Sequence, residues 1–204
     1  MTPELASTLQ RVYPDGTTSS LNADALKDEV RDELIRLILE SVSSQCGLCW
    51  GFDLFDKPAY DIHLTQVDHP AFDEWICKMS DAAKIKWIQQ HEEPYPVLWL
   101  RISRVANFYY LYYNHWVPSE DTGHLEADFR RAPNEKWKKN RKILEASLMD
   151  RGFVYFSQEM AVERTPLVKE QDFDSIPDDD PRWENDDFEP PFVDATLHEC
   201  FFSE

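Results

Sequence analysis

Two neighbouring stretches, VLWLRI at residues 97–102 and FYYLYYNHW at residues 108–116, decide the fold class of this 204-residue chain. Both are rich in β-branched and aromatic side chains, which favour strands, and a short polar connection joins them. The pattern predicts an antiparallel hairpin. Because large apolar side chains occur on both faces of the two strands, we expect a central position in the sheet, with at least one face under helices.

Three segments with helical spacing of apolar residues supply the predicted helices. The first begins at Asn22, a residue type that is favoured at helix N-caps, and the second spans residues 70–90. The third begins after Asn134 and ends near Gly152, which is placed like a helix C-cap. Their apolar positions are Leu26, Val30, Leu34, Ile38 and Val42 in the first segment, Phe72, Trp75, Ile76, Met79, Ala83 and Trp87 in the second, and Trp137, Ile143, Leu144 and Leu148 in the third.

Shorter segments complete the predicted fold. Residues 48–55 and 60–64 are aromatic or β-branched and predict two strands, or one strand and an extended loop, while residues 153–156 predict a strand that returns to the sheet. Residues 1–20 contain prolines, a glycine and the run TTSS, and they predict an irregular leader. We therefore predict a single α+β domain over residues 1–204, in which an antiparallel sheet with a central aromatic hairpin packs with about three helices.

The acidic character of the chain is concentrated towards its C-terminus. Residues 165–204 hold 13 acidic and 2 basic side chains, and residues 170–194 predict an acidic, proline-rich loop. Within it, IPDDDPRWENDDFEPP at residues 176–191 carries seven carboxylates and one arginine together with two aromatic side chains. The apolar positions that follow are expected to be buried, so that the C-terminus docks on the core and the loop is tethered at both ends. These apolar positions are Leu197, Cys200, Phe201 and Phe202.

This tethered loop is the candidate partner-binding site. Aromatic side chains have no obvious use in a solvated linker, and a dense set of carboxylates fits a basic partner. Two alternatives are a purely solvated loop and a cover for the basic helix over residues 136–142. The candidate partner-binding residues are Asp178, Asp179, Asp180, Trp183, Glu184, Asp186, Asp187, Phe188 and Glu189.

The tyrosines of the second strand have two interpretations. Alternation along a strand places about half of the large aromatic residues in the core. The other half then lies either under a helix or at a protein-binding surface, where tyrosine and tryptophan are favoured. The residues concerned are Tyr109, Tyr110, Tyr112, Tyr113 and Trp116.

The overall charge restricts the classes of ligand. The chain has 39 acidic and 21 basic side chains and a formal net charge of −18 at pH 7, which disfavours nucleic acid or an anionic membrane as a direct ligand and favours a basic protein. No apolar run approaches the roughly 18 to 20 residues that a membrane helix needs, and no secretory signal is evident. With only four scattered cysteines, the sequence predicts a cytoplasmic protein in a reducing compartment.

Motifs for catalysis are weak in this sequence. Cys46 and Cys49 have the spacing of a redox pair, but they fall at the end of a predicted helix, where the helix dipole does not favour a thiolate. Small structural thiols are the alternative interpretation. The six histidines form no metal-binding signature, and five glycines supply no phosphate-binding loop. We therefore predict a protein that is not an enzyme and that carries no metal or cofactor.

Three segments resemble one family of bacterial immunity proteins. They are PVLWLRIS at residues 96–103, RGFVYFSQE at residues 151–159 and LHECFFSE at residues 197–204. Together they look like the immunity protein 52 family, whose members accompany nuclease toxins of polymorphic toxin systems. The resemblance extends from residue 96 onward.

The resemblance implies a non-enzymatic inhibitor that binds a cognate toxin domain in the cytoplasm of the producing cell. The toxin is expected to be a basic nuclease, delivered by a system such as type VI secretion. The resemblance assigns no binding residues. An adaptor or chaperone for a secreted effector is the alternative function.

Overall fold

The computed structural model describes residues 2–53, 57–91, 94–119, 125–128, 133–173, 176–177, 180–184 and 189–202. Within these residues the chain forms seven α-helices and eight β-strands. The helices are α1 (Pro3–Val12), α2 (Glu29–Cys46), α3 (Phe72–Cys77), α4 (Asp81–His91), α5 (Glu135–Met149), α6 (Gln158–Ala161) and α7 (Leu197–Phe202). The strands are β1 (Leu48–Asp53), β2 (Ala59–Gln66), β3 (Tyr95–Ser103), β4 (Phe108–Pro118), β5 (Leu125–Asp128), β6 (Val154–Tyr155), β7 (Arg164–Gln171) and β8 (Phe192–Thr196). Short 3₁₀ helices lie at Thr18–Ser20, Ala23–Leu26 and Pro181–Glu184.

The main sheet has the strand order β1-β2-β3-β4-β5, and all of these neighbours are antiparallel. The strands β3 and β4 form the predicted hairpin. Ser103 closes its connection, because the Ser103 Oγ accepts hydrogen bonds from the backbone N–H groups of Val105 (3.1 Å) and Ala106 (3.3 Å). The short β6 joins as a parallel neighbour of the start of β4. The predicted single α+β domain with an antiparallel sheet and a central aromatic hairpin is confirmed.

One face of the main sheet, called the closed face below, is covered by α2 and α5. Alternating side chains of β2, β3 and β4 point to it and pack against one stripe of each helix. Because burial of each such side chain stabilises by roughly 1.5–3 kcal/mol, the closed face contributes a large share of the stability. The buried sheet residues are Tyr60, Ile62, Leu64, Leu98, Leu100, Ile102, Tyr109, Leu111 and Tyr113, and the buried helix residues are Ile35, Ile38, Leu39, Val42, Trp137, Leu144 and Leu148.

The helix α5 begins as predicted, but its C-cap is Asp150, two residues before the predicted Gly152. The Asn134 side chain accepts a hydrogen bond from the Trp137 backbone N–H (3.0 Å), which satisfies a donor that the first turn leaves unpaired. After the helix ends at Met149, Gly152 takes φ = +81°, a conformation that glycine adopts without strain. The predicted N-cap therefore marks the start of α5, and Gly152 lies in the turn that follows its C-cap.

The start of α2 differs from its prediction. Asn22 caps only the 3₁₀ helix Ala23–Leu26, and α2 begins at Glu29 with Asp28 as its N-cap. The Asp28 carboxylate accepts a hydrogen bond from the Arg31 backbone N–H (3.0 Å). Leu26 packs in a different hydrophobic cluster from α2, and Val30 is 82% exposed. The apolar stripe was therefore wrong over its first two positions.

The predicted helix over residues 70–90 is two helices, α3 and α4. They are separated at Ser80, whose backbone carbonyl and Oγ accept hydrogen bonds from the N–H groups of Lys84 (3.0 Å) and Ala83 (3.4 Å). Serine at such a position favours a new helix start over continuation. The long helices α2, α4 and α5 correspond to the predicted set of about three, and the remaining helices are shorter.

The predicted irregular leader over residues 1–20 was wrong, because residues 3–12 form α1. Thr2 caps this helix by accepting a hydrogen bond from the Leu5 N–H (3.3 Å), and Pro3 stands in the first turn, where its missing N–H costs nothing. Leu9 and Val12 are buried among residues from the C-terminal part of the chain. The Tyr13 hydroxyl donates a hydrogen bond to the Cys200 carbonyl (2.9 Å). The N-terminal segment is therefore part of the fold.

The predicted loop over residues 170–194 is shorter than expected, because its ends belong to strands. The antiparallel strands β7 and β8 form a second, two-stranded sheet, and the Asp172 N–H donates to the Pro191 carbonyl (2.9 Å) where the strands part. The acidic loop therefore lies between residues 172 and 191 and is tethered at both ends. The predicted burial of the C-terminal positions is confirmed for Leu197, Cys200, Phe201 and Phe202. We call α1, β7, β8, α6 and α7 the terminal layer.

Candidate protein-binding surface

The second face of the main sheet, called the open face below, is covered only in part by the described helices. At one end, α3 and α4 pack Trp75 and Trp87 against Tyr95, with Trp75 and Tyr95 stacked at 4.0 Å between ring centroids. At the other end, Phe202 of α7 packs against Tyr110, with a centroid separation of 6.2 Å. The helices thus cover the two ends of the open face. Partly exposed side chains lie in the strip between these two covered ends.

An aromatic row crosses this strip from one cover to the other. We define it by Phe72, Trp99, Tyr112, Tyr110 and His198, all of which are partly exposed. Ring centroids along the row are 5.1, 6.0, 5.2 and 6.4 Å apart in that order, and the two central pairs are stacked. Contacts of this kind contribute about 0.5–1.5 kcal/mol each beyond area burial. The row is therefore a continuous and ordered aromatic surface.

The row rests on a tightly packed base at Gly51 and His63. The His63 ring lies 4.6 Å from the Phe72 ring and 5.8 Å from the Trp99 ring, and His63 is 4% exposed. A Cβ atom added to Gly51 would lie 2.1 Å from the His63 Nε2. Only glycine leaves room for the imidazole at this point of β1. This packing restricts the positions that the Trp99 ring can take.

A buried ion pair anchors the end of the open face near α7. The Arg101 Nε lies 2.7 Å from the Asp61 Oδ1, and both residues are buried. The Arg101 Nη1 also donates to the Phe202 carbonyl (3.4 Å), which ties the last helix to the sheet. Lys57 approaches the same carboxylate at 3.8 Å. The charge of Arg101 is therefore matched within the fold, and this residue serves the docking of the C-terminus.

A pocket of about 350 Å³ opens at the α7 end of the row. We call it the His198 pocket. Tyr110 and His198 belong to the row, and α6 supplies the opposite side of the pocket. The Ser157 Oγ accepts a hydrogen bond from the Met160 N–H (3.3 Å) and so fixes the start of α6. The described lining residues are Tyr110, Tyr155, Phe156, Ser157, Gln158, Ala161 and His198.

The acidic loop proposed from the sequence is described only in part. The Asp180 carboxylate accepts hydrogen bonds from the Arg182 backbone N–H (2.9 Å), Nε (2.9 Å) and Nη2 (2.8 Å). These bonds to Arg182 lower the pKa of Asp180 to about 2. Glu189 is exposed. Trp183 and Glu184 lie in a 3₁₀ helix, and their side chains are outside the described part of the structure, as are the residues Asp178, Asp179, Asp186, Asp187 and Phe188.

The basic helix has local partners in the described part of the chain. The Lys138 Nζ lies 2.7 Å from the Glu135 Oε1, and the Arg141 Nε lies 2.9 Å from the Glu145 Oε1. Lys136 donates to the side-chain oxygen of Gln66 at the end of β2. Most of the acidic loop lies outside the described residues, so the alternative in which it covers the helix stays a prediction. The assignment of the loop to a partner stays a prediction.

The two cysteines with redox spacing lie in separate elements, Cys46 at the end of α2 and Cys49 in β1. Both are free thiols, and the Cys49 Sγ lies 2.9 Å from the Thr65 Oγ1. Burial raises the pKa of the Cys46 thiol, and Lys139 lowers it to a lesser extent. A raised pKa is the opposite of what thiol nucleophiles need. Packing in the structure thus favours the structural interpretation of Cys46.

Metal centres and membrane-spanning helices are two further kinds of site. The described residues contain no group of three or more His, Cys, Asp or Glu side chains that could hold a metal ion. None of the described helices is both long and apolar enough to cross a bilayer. No family model, curated protein or solved structure matches the chain. The resemblance to the immunity protein 52 family therefore stays a prediction.

Proposed function

We propose that this chain is an immunity protein, which binds a cognate secreted antibacterial toxin and neutralises it in the cytoplasm of the producing cell. The toxin is a basic nuclease, and inhibition is by protein–protein contact without catalysis. The observation that carries this proposal is the aromatic row, a partly exposed and ordered surface on the open face of a strongly acidic protein. The motif resemblance over residues 96–204 adds a second line of support.

The aromatic row has the chemistry of a binding hot spot. Tryptophan and tyrosine are enriched among residues that lose 2 kcal/mol or more of binding free energy on truncation, and such residues cluster at the centre of interfaces. Stacking holds Trp99, Tyr112 and Tyr110 in place before any partner binds. A preordered surface loses little side-chain entropy on association. The row therefore supplies slow dissociation.

An effective inhibitor must also associate fast with the toxin, and the net charge of −18 favours fast association with a basic protein. Complementary charge steers diffusional encounter and raises association rate constants from about 10⁵–10⁶ to as much as roughly 10⁸–10⁹ M⁻¹ s⁻¹ at low salt. A nuclease carries basic surface for its own nucleic acid substrate, so an acidic inhibitor meets an opposite charge. We therefore expect the association rate constant to fall steeply as salt is added, with a smaller change in the dissociation rate constant.

The proposal is tested by capture and inhibition. The tagged chain is used to isolate its partner from the native bacterium, and the captured protein is identified by mass spectrometry and assayed for nuclease activity. We expect one dominant basic partner whose activity the chain abolishes at an equimolar ratio. Capture of a secreted effector that keeps full activity in the complex, with better export or solubility, would instead support the adaptor or chaperone function.

Two sets of variants separate the contributions of the row and the acidic loop. Trp99→Ala combined with Tyr112→Ala removes the centre of the row, and Phe192→Ala removes an exposed aromatic side chain from β8 as the matched control. We expect the first variant to lose inhibition and the control to keep it. A third variant neutralises the loop by changing Asp178, Asp179, Asp180, Asp186 and Asp187 to Asn. If it protects cells as well as the wild type, the loop does not act by occupying the nucleic acid site of the toxin.

A further inference from the structure

We propose that the His198 pocket receives an arginine side chain of the basic partner; this inference rests on the proposed function and names one contact within it. The pocket lies at the α7 end of the aromatic row, so an arginine bound there extends the contact that the row makes. A volume of about 350 Å³ lies near the lower limit of small-molecule sites, which are roughly 300–1,000 Å³. This volume fits a single long side chain better than a cofactor.

The walls of the pocket suit a planar cation. The rings of Tyr110 and His198 meet at 82° with their centroids 6.4 Å apart, and both residues line the pocket. Burial raises the pKa of Tyr110, and the nearby Arg101 lowers it to a lesser extent, so the phenol is neutral at physiological pH. Neutral aromatic faces attract guanidinium groups, and arginine stacks on them more often than lysine does.

The polar groups of the pocket also favour a cation. None of the described residues that line it is a lysine or an arginine. Ser157 and Gln158 offer oxygen acceptors to the five N–H donors of a guanidinium group, and the exposed Glu159 lies next to Gln158, within 3.3 Å of the Ser157 Oγ. Arg101, the cation whose charge acts on Tyr110, is already paired with Asp61.

Two acidic residues of the terminal layer interact next to the helix that carries His198. Glu199 follows His198 on α7 and approaches Glu170 of β7. Burial, and next the charge of Glu199, raise the pKa of Glu170 although the Arg164 Nη1 lies 3.2 Å from its carboxylate. At Glu170, burial and the charge of Glu199 together outweigh the effect of the Arg164 cation on the pKa. A bound cation lowers the electrostatic cost of this arrangement, and a bound anion increases it.

The inference is tested first with a probe that does not require the toxin. N-acetyl-arginine amide is titrated into the ¹⁵N- and ¹³C-labelled protein, and N-acetyl-citrulline amide serves as the neutral control of nearly the same shape. We expect saturable NMR shifts at Tyr110, Gln158 and His198, with a dissociation constant on the order of millimolar for arginine and at least about tenfold weaker binding for citrulline. Equal binding of the two probes, or no shift at these residues, would overturn the inference.

Charge variants at the rim provide the second test. Gln158 is exposed on α6, so Gln158→Lys and Gln158→Glu change the charge of the pocket with little effect on packing. We expect Gln158→Lys to weaken arginine binding about threefold to tenfold and Gln158→Glu to strengthen it. Gln10→Lys, an identical change at an exposed position of α1, is the matched control and leaves binding unchanged. Equal effects of the two lysine variants would contradict the inference, because they would reflect net charge alone.

Ring variants separate the aromatic contribution from general stability. Tyr110→Phe keeps the aromatic face, whereas Tyr110→Leu keeps most of the apolar area and removes the face. We expect arginine binding to survive the first change and to fall by about threefold to tenfold with the second, at unchanged unfolding midpoints. Retained arginine binding in Tyr110→Leu would contradict the assignment of the His198 pocket to an arginine side chain.

Arginine binding in the His198 pocket and the immunity function are tested by separate measurements. Selective arginine binding together with no effect on any toxin supports arginine binding in the His198 pocket and contradicts the immunity function. Full toxin neutralisation with no selectivity between arginine and citrulline supports the immunity function and contradicts arginine binding in the pocket.

Discussion

The two faces of the main sheet are built from the same strands but differ in almost every physical property. On the closed face, Leu98 and Leu100 pack with α2 and α5 and have no exposed area. On the open face, Trp99 lies between these two leucines in sequence, is partly exposed, and belongs to a row of stacked rings. Because successive residues of a strand point to opposite sides, one hairpin both stabilises the fold and presents a surface. The comparison predicts that, within each strand, alternate residues contribute to stability and to binding.

The largest effect is expected from a large-to-small change on the closed face. Leu100→Ala leaves a cavity in the cluster between the sheet and the helices, and such changes cost about 2–5 kcal/mol of unfolding free energy. Urea denaturation followed by tryptophan fluorescence measures the loss. Binding to the partner is expected to be normal in the fraction that remains folded. A loss below about 1 kcal/mol would show that the closed face is not the main source of stability.

A change on the open face is expected to act on binding first. Tyr112→Ala removes the ring that joins Trp99 to Tyr110, and we expect it to cost about 2–4 kcal/mol of binding free energy. The unfolding free energy is expected to fall by only about 1 kcal/mol, because Tyr112 is partly exposed in the folded state. Titration calorimetry against the captured partner measures the first quantity, and urea denaturation the second. Equal losses in the two quantities would remove the distinction between the faces.

A smaller effect is expected at the base of the aromatic row. Gly51→Ala forces the new methyl group against the His63 ring, and overpacking of this kind costs about 1–3 kcal/mol. The double variant with His63→Ala is expected to recover part of that loss, because the imidazole no longer occupies the space. A double-mutant cycle from thermal unfolding measures the coupling. Strictly additive losses would mean that the two residues do not meet in solution.

The smallest effect is expected at Glu170 of β7, which interacts with Glu199 of the helix α7. Burial and Glu199 raise the pKa of Glu170 in the folded state, so folding favours the protonated carboxyl group. Glu170 therefore stabilises the fold most below its unfolded pKa, and this contribution is lost as the pH rises through the folded pKa. We expect Glu170→Gln to raise the melting temperature slightly at pH 7 and to have no effect at acidic pH. A lower melting temperature at pH 7 would show that the Arg164 ion pair outweighs burial.

Alternation and helix caps are the features of the fold that could be predicted from local sequence. The predicted alternation of the tyrosines is confirmed, since Tyr109 and Tyr113 are buried in the closed face while Tyr110 and Tyr112 belong to the open face. Asn134 correctly marks the start of α5. Strand alternation and helix caps depend on residues within a few positions of each other, so they can be recognised in a single sequence.

The terminal layer was harder to predict because its elements depend on distant partners. Pro166 and the charged residues Lys169 and Glu170 lower the strand propensity of β7, but pairing with β8 and a bridge from Thr17 to Lys169 override this local preference. The short α1 is held mainly by contacts with residues near the opposite end of the chain. The His198 pocket combines β4, β6, α6 and α7, and no local pattern reports such a combination.

The hydrogen bond between Tyr13 and Cys200 has a consequence for the order of folding, because it joins residues that are 187 positions apart. Synthesis at about 5–20 residues per second delivers the strands β1 to β4 several seconds before α7. The main sheet can therefore form on the ribosome, while the terminal layer must wait for nearly the whole chain. Tyr110 meets His198 only at that last step. A partner that requires this contact recognises molecules in which α7 has docked and passes over those in which it has not.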